Sequence, residues 1–272
     1  MNRSRALAGA GLAGLVLASA LPLGWAITAS LTPEVALFDR PTLLPRRVTF
    51  DHYRALFDER DFWVPIKNSV VVASATTMLC VAVGAFAAYA IARLRFRGKG
   101  AILGFVLAVT MFPQISIVGP LYMLLRALGL INTYPGLVLP YLTFAMPLTV
   151  WLLTAFFRDL PPDLEEAALV DGATRWQAFT RVLLPLAAPG LATTAILTFL
   201  YCWNEFLFAL SFTLGPERHT VPVAIALFRG RYQVPWGQIL AATVVATVPV
   251  ALVVLAFQRR IVQGLTAGAI KG

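Results

Sequence analysis

Residues 158–190 read RDLPPDLEEAALVDGATRWQAFTRVLLPLAAPG, and the punctuation of this stretch decides how the chain on either side is read. Pro161 and Pro162 end a preceding helix, and Asp163 followed three residues later by Glu166 has the pattern of a capping box that opens a new one. Ala167 and Ala168 give that short helix a small-residue face that a partner can approach closely. Asp171-Gly172 then supplies a residue free to take positive φ and close it. Thr174 and Gln177 repeat the capping-box pattern, Phe179, Val182 and Leu183 recur at helical spacing, and Pro185 marks a second stop. The stretch thus predicts a helix, a glycine turn and a helix.

A hairpin of this kind could read DNA, but its charge argues against that. Arg158, Arg175 and Arg181 stand against Asp159, Asp163, Glu165, Glu166 and Asp171, so the segment is net acidic, whereas phosphate contacts need a basic surface. The remaining readings are a structured connector and a functional loop. Connections of this length are uncommon unless functional.

Outward from the hairpin the chain becomes strongly apolar. Hydrophobic residues make up 59% and charged residues 13%, and the mean hydropathy is +0.77, outside the range of soluble domains. The sequence is that of an all-α integral membrane protein. In that setting the formal net charge of +9 records orientation and contact with anionic lipid headgroups rather than nucleic acid. Cys80 and Cys202 each fall within an apolar run and read as packing residues.

Six spans are predicted, at 6–31, 68–92, 101–125, 136–157, 190–214 and 237–257, in a single domain covering 1–272, with 158–189 as the loop between the fourth and fifth. The first follows Arg3 and Arg5. A cleaved leader is the rival reading there, but apolar character continues past Pro22 and favours a retained span. Residues 32–64 contain Phe50, Tyr53, Leu56 and Phe57 near helical spacing, which predicts an amphipathic surface helix. Arg40, Arg46, Arg47, Arg54 and Arg60, with Lys67 just beyond, are matched there by six acids, so no orientation signal results. Pro113, Gly119 and Pro120 in the third span, with Pro140 and Pro147 in the fourth, predict kinked helices packed in a bundle rather than simple anchors.

Orientation follows from the bases. The cluster Arg93, Arg95, Arg97 and Lys99 contains no acid and is the clearest positive-inside mark. Arg3, Arg5, Arg158, Arg175, Arg181, Arg259, Arg260 and Lys271 fall on the same side. Both termini and the 158–189 loop are therefore expected in the cytoplasm.

Glu205 is the one acid inside a predicted span, in Trp203-Asn204-Glu205-Phe206. A carboxylate there costs roughly 2.5–3.5 kcal/mol near a span centre and usually faces a partner group or a conducting path. Two readings stay open: a structural hydrogen-bond partner, or a route on which aromatic faces and polar groups meet a ring-shaped, hydroxyl-rich solute.

Glu165-Glu166-Ala167-Ala168, Asp171-Gly172-Ala173 and Leu184-Pro185-Leu186 resemble the EAA loop of ABC importer permeases in the form found in sugar importers. Met111-Phe112-Pro113 with Pro120-Leu121-Tyr122, Gly129-Leu130-Ile131-Asn132-Thr133, Ala155-Phe156-Phe157-Arg158, Trp203-Asn204-Glu205-Phe206 and the ending GLTAGAIKG at 264–272 are similar to the maltose and oligosaccharide class of that family, and some runs are most similar to its trehalose-importing branch.

The resemblance implies the type I ABC importer permease fold. The EAA loop would be a coupling helix seated in a groove of a cytoplasmic ATPase, which assigns that role to Glu165, Glu166, Ala167, Ala168, Asp171, Gly172, Ala173 and Pro185. It also implies a second homologous permease subunit, two copies of the ATPase, an extracytoplasmic sugar-binding protein and residence in the cytoplasmic membrane. The cargo would be a disaccharide such as trehalose or maltose. ATP and magnesium would be bound by the ATPase, and this chain would bind no cofactor or metal and catalyse nothing. The residues agree: there is no G-x-x-x-x-G-K phosphate loop, and His52 and His219 stand isolated outside the predicted spans. A channel or secondary transporter would need more intramembrane charge or an internal repeat, and would leave the 158–189 loop without a purpose.

Overall fold

The computed structural model describes residues 2–39, 47–228 and 234–267, and every regular element among them is a helix. The expected basic positions Arg40, Arg46 and Lys271 and the ending 268–272 lie outside the described residues. In chain order the elements begin with α1 (Asn2–Ser30), α2 (Glu34–Asp39) and α3 (Asp51–Arg54, continued by a π-helical turn Ala55–Glu59). The middle comprises α4 (Trp63–Arg93), α5 (Lys99–Thr110), α6 (Gln114–Ala127) and α7 (Tyr134–Asp159). After these come α8 (Asp163–Val170), α9 (Arg175–Leu186), α10 (Ala188–Trp203), α11 (Leu207–Phe212), α12 (Val221–Ala226) and α13 (Trp236–Ala267).

The centre of the molecule is α4 against α7, with α10 packed on both. Small residues on α4 make this close approach possible. A Cβ at Gly84 would come within 3.0 Å of the Thr149 methyl on α7, and Ala73, Ala85 and Ala88 are buried along the same helix. The seam is pinned by a hydroxyl pair, Thr149 Oγ1 to Thr198 Oγ1 at 2.9 Å, buried between α7 and α10.

Among the described residues four helices are long and apolar enough to cross a membrane, or up to six if each bent pair counts as one span. Within the four, 39% of the apolar window is buried in α4 and 61% in α7, against 11% in α1 and in α13. The first two therefore form the core, and the last two, which pack against each other, lie at its edge.

The 101–125 stretch is not one kinked helix. α5 and α6 meet at 90° across Met111, Phe112 and Pro113. Pro113 takes φ −65° and ψ 115° as the N-cap of α6, and a proline disfavours helical geometry in the residue before it. Pro140 and Pro147, in contrast, sit inside the unbroken α7, where both are buried among neighbouring helices. The 190–214 stretch is likewise divided: α10 ends at Trp203, and the separate α11 begins at Leu207.

The expected amphipathic helix over 32–64 is replaced by α2 and by α3 with its π turn. Its buried face is carried by His52, Leu56 and Phe62, while Phe50 is 60% exposed. His52 is drawn inward because Gly237 opens α13 without a side chain; a Cβ there would run into the imidazole ring. The His52 Nε2 hydrogen-bonds the Thr32 carbonyl at 2.9 Å. Glu34 accepts from the Trp236 and Gly237 N–H groups at 3.0 and 2.9 Å, which caps α13 with a carboxylate at its positive end.

Candidate functional site

The hairpin at 158–189 forms as two helices separated by Gly172, but its first cap differs from the expected one. Asp163 is the first residue of α8, and its N-cap is Pro162 at φ −65°, ψ −30°, with no side-chain cap. The Pro162 carbonyl accepts from the Glu165 and Glu166 N–H groups at 3.1 and 3.2 Å. The proline pair already supplies helical φ, so the helix begins one residue early and leaves Asp163, Glu165 and Glu166 in its first turn, where they complement the dipole.

The other end of α8 closes as the sequence predicts. Gly172 takes φ +86°, its N–H bonds the Leu169 carbonyl at 3.1 Å, and the Ala173 N–H bonds the Ala168 carbonyl at 3.0 Å. This 5→2 and 6→1 pair is a Schellman motif. Two residues later the Thr174 Oγ1 accepts from the Gln177 N–H at 3.2 Å, and the Gln177 side chain accepts from the Thr174 N–H at 2.8 Å. The turn between α8 and α9 is thus capped on both sides.

Pro185 does not end α9, which runs through Leu186 before turning by 72° into α10. The middle of α9, Ala178–Leu183, is π-helical. A proline ring conflicts with the carbonyl four residues before it, here Arg181, and the widened i→i+5 turn absorbs that conflict.

α9 is fixed to the core by aromatic packing. Phe179 and Leu183 are buried against Ala88, Tyr89, Leu153 and Phe157, with the Tyr89 and Phe179 centroids 4.7 Å apart, while Trp176 stacks on Phe86. α8 is fixed through Glu165. The Tyr89 hydroxyl donates to its Oε1 at 2.8 Å, Arg93 Nε stands 3.9 Å from its Oε2, and Arg93 Nη2 donates to the Leu160 carbonyl. The two acids at the start of the motif therefore face opposite ways: Glu165 turns inward to the end of α4, and Glu166 is exposed. Ala167, Asp171, Gly172 and Pro185 are exposed and Ala168 and Ala173 half-buried, so one surface of the hairpin remains open. Val170 at the end of α8 is 87% exposed, an apolar surface of the kind partners cover, and Trp176 on α9, though stacked on Phe86, is 61% exposed.

Sequence reasoning missed Tyr89 and took Arg93 only as an orientation mark. No local signal singles out Tyr89, because its role depends on which turn of α4 meets α8.

The 203–206 group does not share one face. Trp203 is 3% exposed and packs with Leu56, Phe62 and Val221. Asn204 is exposed and its amide donates to the Leu200 carbonyl at 2.8 Å. Phe206 is 39% exposed. Glu205 is buried, and its carboxylate accepts from the Phe208 and Ala209 N–H groups at 2.8 and 3.1 Å, the first turn of α11. Two of its bonds thus go to its own following helix, and the buried Tyr141 hydroxyl of α7 faces the same carboxyl group. The two N–H groups are orphan donors at the start of a helix, and the Glu205 side chain satisfies them.

Long apolar helices, two of them broken by bends, joined by a doubly capped polar hairpin with an open apolar face, define a multi-pass membrane protein with a docking element. The family model described as "Binding-protein-dependent transport system inner membrane component" matches residues 80–267. The chain belongs to this family, and is a multi-pass component of the inner membrane. It is 50% identical to the trehalose transport system permease protein SugB of Mycobacterium tuberculosis, over 100% of both chains. It is 43% identical to the trehalose/maltose transport system permease protein MalG of Thermococcus litoralis, over 92% of this chain and 91% of the other. In fold it resembles a chain of a bacterial ABC transporter involved in import of the acidic polysaccharide alginate, with TM-score 0.76 and 22% identity over 95% of this chain and 98% of that one.

Proposed function

We propose that this chain is a permease subunit of an ATP-driven importer and carries a disaccharide such as trehalose or maltose across the cytoplasmic membrane. The observation that carries the reading is the 158–189 hairpin, whose turn is closed by the Gly172 Schellman motif and the Thr174 capping box and whose outer face is open. An element stiffened in this way transmits displacement instead of absorbing it.

In this reading the exposed side of α8, with Glu166, Ala167 and Val170, seats in the ATPase, and Glu165 passes the movement to α4 through Tyr89 and Arg93. Both termini and the hairpin lie in the cytoplasm. The chain works beside a second, homologous permease, two ATPase copies that hold ATP and magnesium, and an extracytoplasmic sugar-binding protein, while surrounded by lipid. It performs no chemistry itself. The names of its relatives support a disaccharide cargo, and Asn204 with Phe206 offers the exposed polar and aromatic groups of the 203–206 segment.

The test is reconstitution of the full importer in proteoliposomes. Trehalose or maltose presented with the binding protein should stimulate ATP hydrolysis and accumulate inside. Stimulation by another solute class, with neither disaccharide active, would refute the cargo assignment.

A further inference from the structure

The 90° bend between α5 and α6 opens a concavity of about 570 Å³ lined by Thr110, Gln114, Phe144, Leu148, Trp151 and Tyr201. This lies within the roughly 300–1,000 Å³ range of small-molecule sites. Its polar groups come from three helices and are held in place. The Gln114 amide donates to the Tyr201 hydroxyl at 2.8 Å, and the Thr110 hydroxyl donates to the Leu107 carbonyl at 2.6 Å. Among the described residues these bonds leave the Tyr201 proton and the Gln114 carbonyl oxygen uncommitted, one donor and one acceptor on the two hydrogen-bonded side chains. Trp151, 45% exposed, stands on α7 at the same concavity.

We propose that this concavity is a sugar-contact site on the chain itself, in which Gln114 and Tyr201 bind a pair of sugar hydroxyls and Trp151 packs against the ring. Adjacent hydroxyls of a pyranose each donate and accept, which matches an uncommitted donor beside an uncommitted acceptor. The weakly polar C–H face of the ring matches an indole surface. Lipid is the poorer occupant, because it would leave the free ends of the Gln114–Tyr201 pair unsatisfied in hydrocarbon. The position also suits a transport intermediate, since transporter sites recur where spanning helices are interrupted. Tyr201 lies in the last turn of α10, three residues before the C-cap Asn204.

The inference rests on the disaccharide reading above, and the experiment separates the two. The complete importer, with its binding protein and ATPase, is reconstituted with radiolabelled trehalose and maltose as the probes. Absence of uptake of both by the unmodified complex defeats the disaccharide reading and this site with it. Given uptake, Tyr201→Phe and Gln114→Leu should each lower transport per assembled complex about fivefold, the consequence of one neutral hydrogen bond. They should also change the trehalose-to-maltose ratio, with complex yield and sugar-free ATP hydrolysis unchanged. In a Thr110→Cys complex, saturating trehalose should slow maleimide modification severalfold. Unchanged uptake and ratio in both variants, or a modification rate indifferent to sugar, would overturn the site.

Discussion

Replacing Gly172 tests whether the hairpin works through its backbone shape. The residue sits at φ +86°, where an L side chain is strained, yet a Cβ built there meets nothing within 4 Å. A Cβ at this position therefore meets open space, and the cost of Gly172→Val is set by its backbone conformation at roughly 1–2 kcal/mol. That lowers the population of the closed turn by about 5- to 30-fold, because each 1.4 kcal/mol is about a factor of ten. It also loosens the two bonds at 3.1 and 3.0 Å that close α8. The membrane helices do not depend on this turn, so insertion should survive. The assay is uptake per assembled complex, with ATPase co-purification as the second readout. Both should fall in the order Gly172→Asn, Gly172→Ala, Gly172→Val, because Asn tolerates the left-handed region best and a β-branched residue worst. Normal uptake in Gly172→Val would refute the argument. So would an Asn variant as damaged as the Val variant, which would mean that the open surface at 172, and not its φ, is what matters.

Three further perturbations address other parts of the molecule. Glu205→Ala strands the buried Phe208 and Ala209 N–H groups at about 1–3 kcal/mol each, so complex yield should fall sharply, with Glu205→Gln closer to the parent because its carbonyl can still accept; full yield in the Ala variant would contradict the cap. Tyr89→Phe removes one hydrogen bond to the Glu165 carboxylate, an interaction worth about 1.5–3 kcal/mol, and should reduce sugar-stimulated ATP hydrolysis more than ATPase binding. Equal losses in both would make Tyr89 a docking residue instead of a link. In topology labelling, Gly98→Cys and Gly172→Cys should react only from the cytoplasm and Glu59→Cys only from outside, against a low background because Cys80 and Cys202 are buried; reaction of position 172 from outside would invert the proposed orientation.

What could be read from the sequence was mostly what is decided within a few residues. The Thr174–Gln177 box and the positive φ of Gly172 need only their own backbone, and both are present in the structure. Asp163 and Glu166 have the same box spacing as Thr174 and Gln177, but Pro162 is already helical and takes the cap position, so the pattern alone misplaced the start. Prolines show the same limit. Pro140 and Pro147 remain inside α7 and the exposed Pro120 remains inside α6, whereas Pro113, also exposed, stands at the break; one residue type gives both outcomes, and exposure does not separate them. Glu205 was conspicuous as an acid in an apolar run. Its partners could not be named from spacing, because they appear only once α10 stops at Trp203 and a second helix starts at Leu207. The Gln114–Tyr201 pair was invisible for a related reason: 87 positions separate its members, and only the bend brings them together.

The pairing of α1 with α13 sets an order on biosynthesis. α1 leaves the ribosome before α13, on which it docks, and Glu34 just after α1 waits for the N–H groups of Trp236 and Gly237. About 200 residues separate the two, which at 5–20 residues per second is roughly 10–40 s of translation. During that interval α1, with 11% of its apolar window buried even in the finished protein, has lipid as its main neighbour. Helix insertion and helix association are therefore separate events for this segment, and a truncated chain that stops before residue 236 should leave its first helix inserted but undocked.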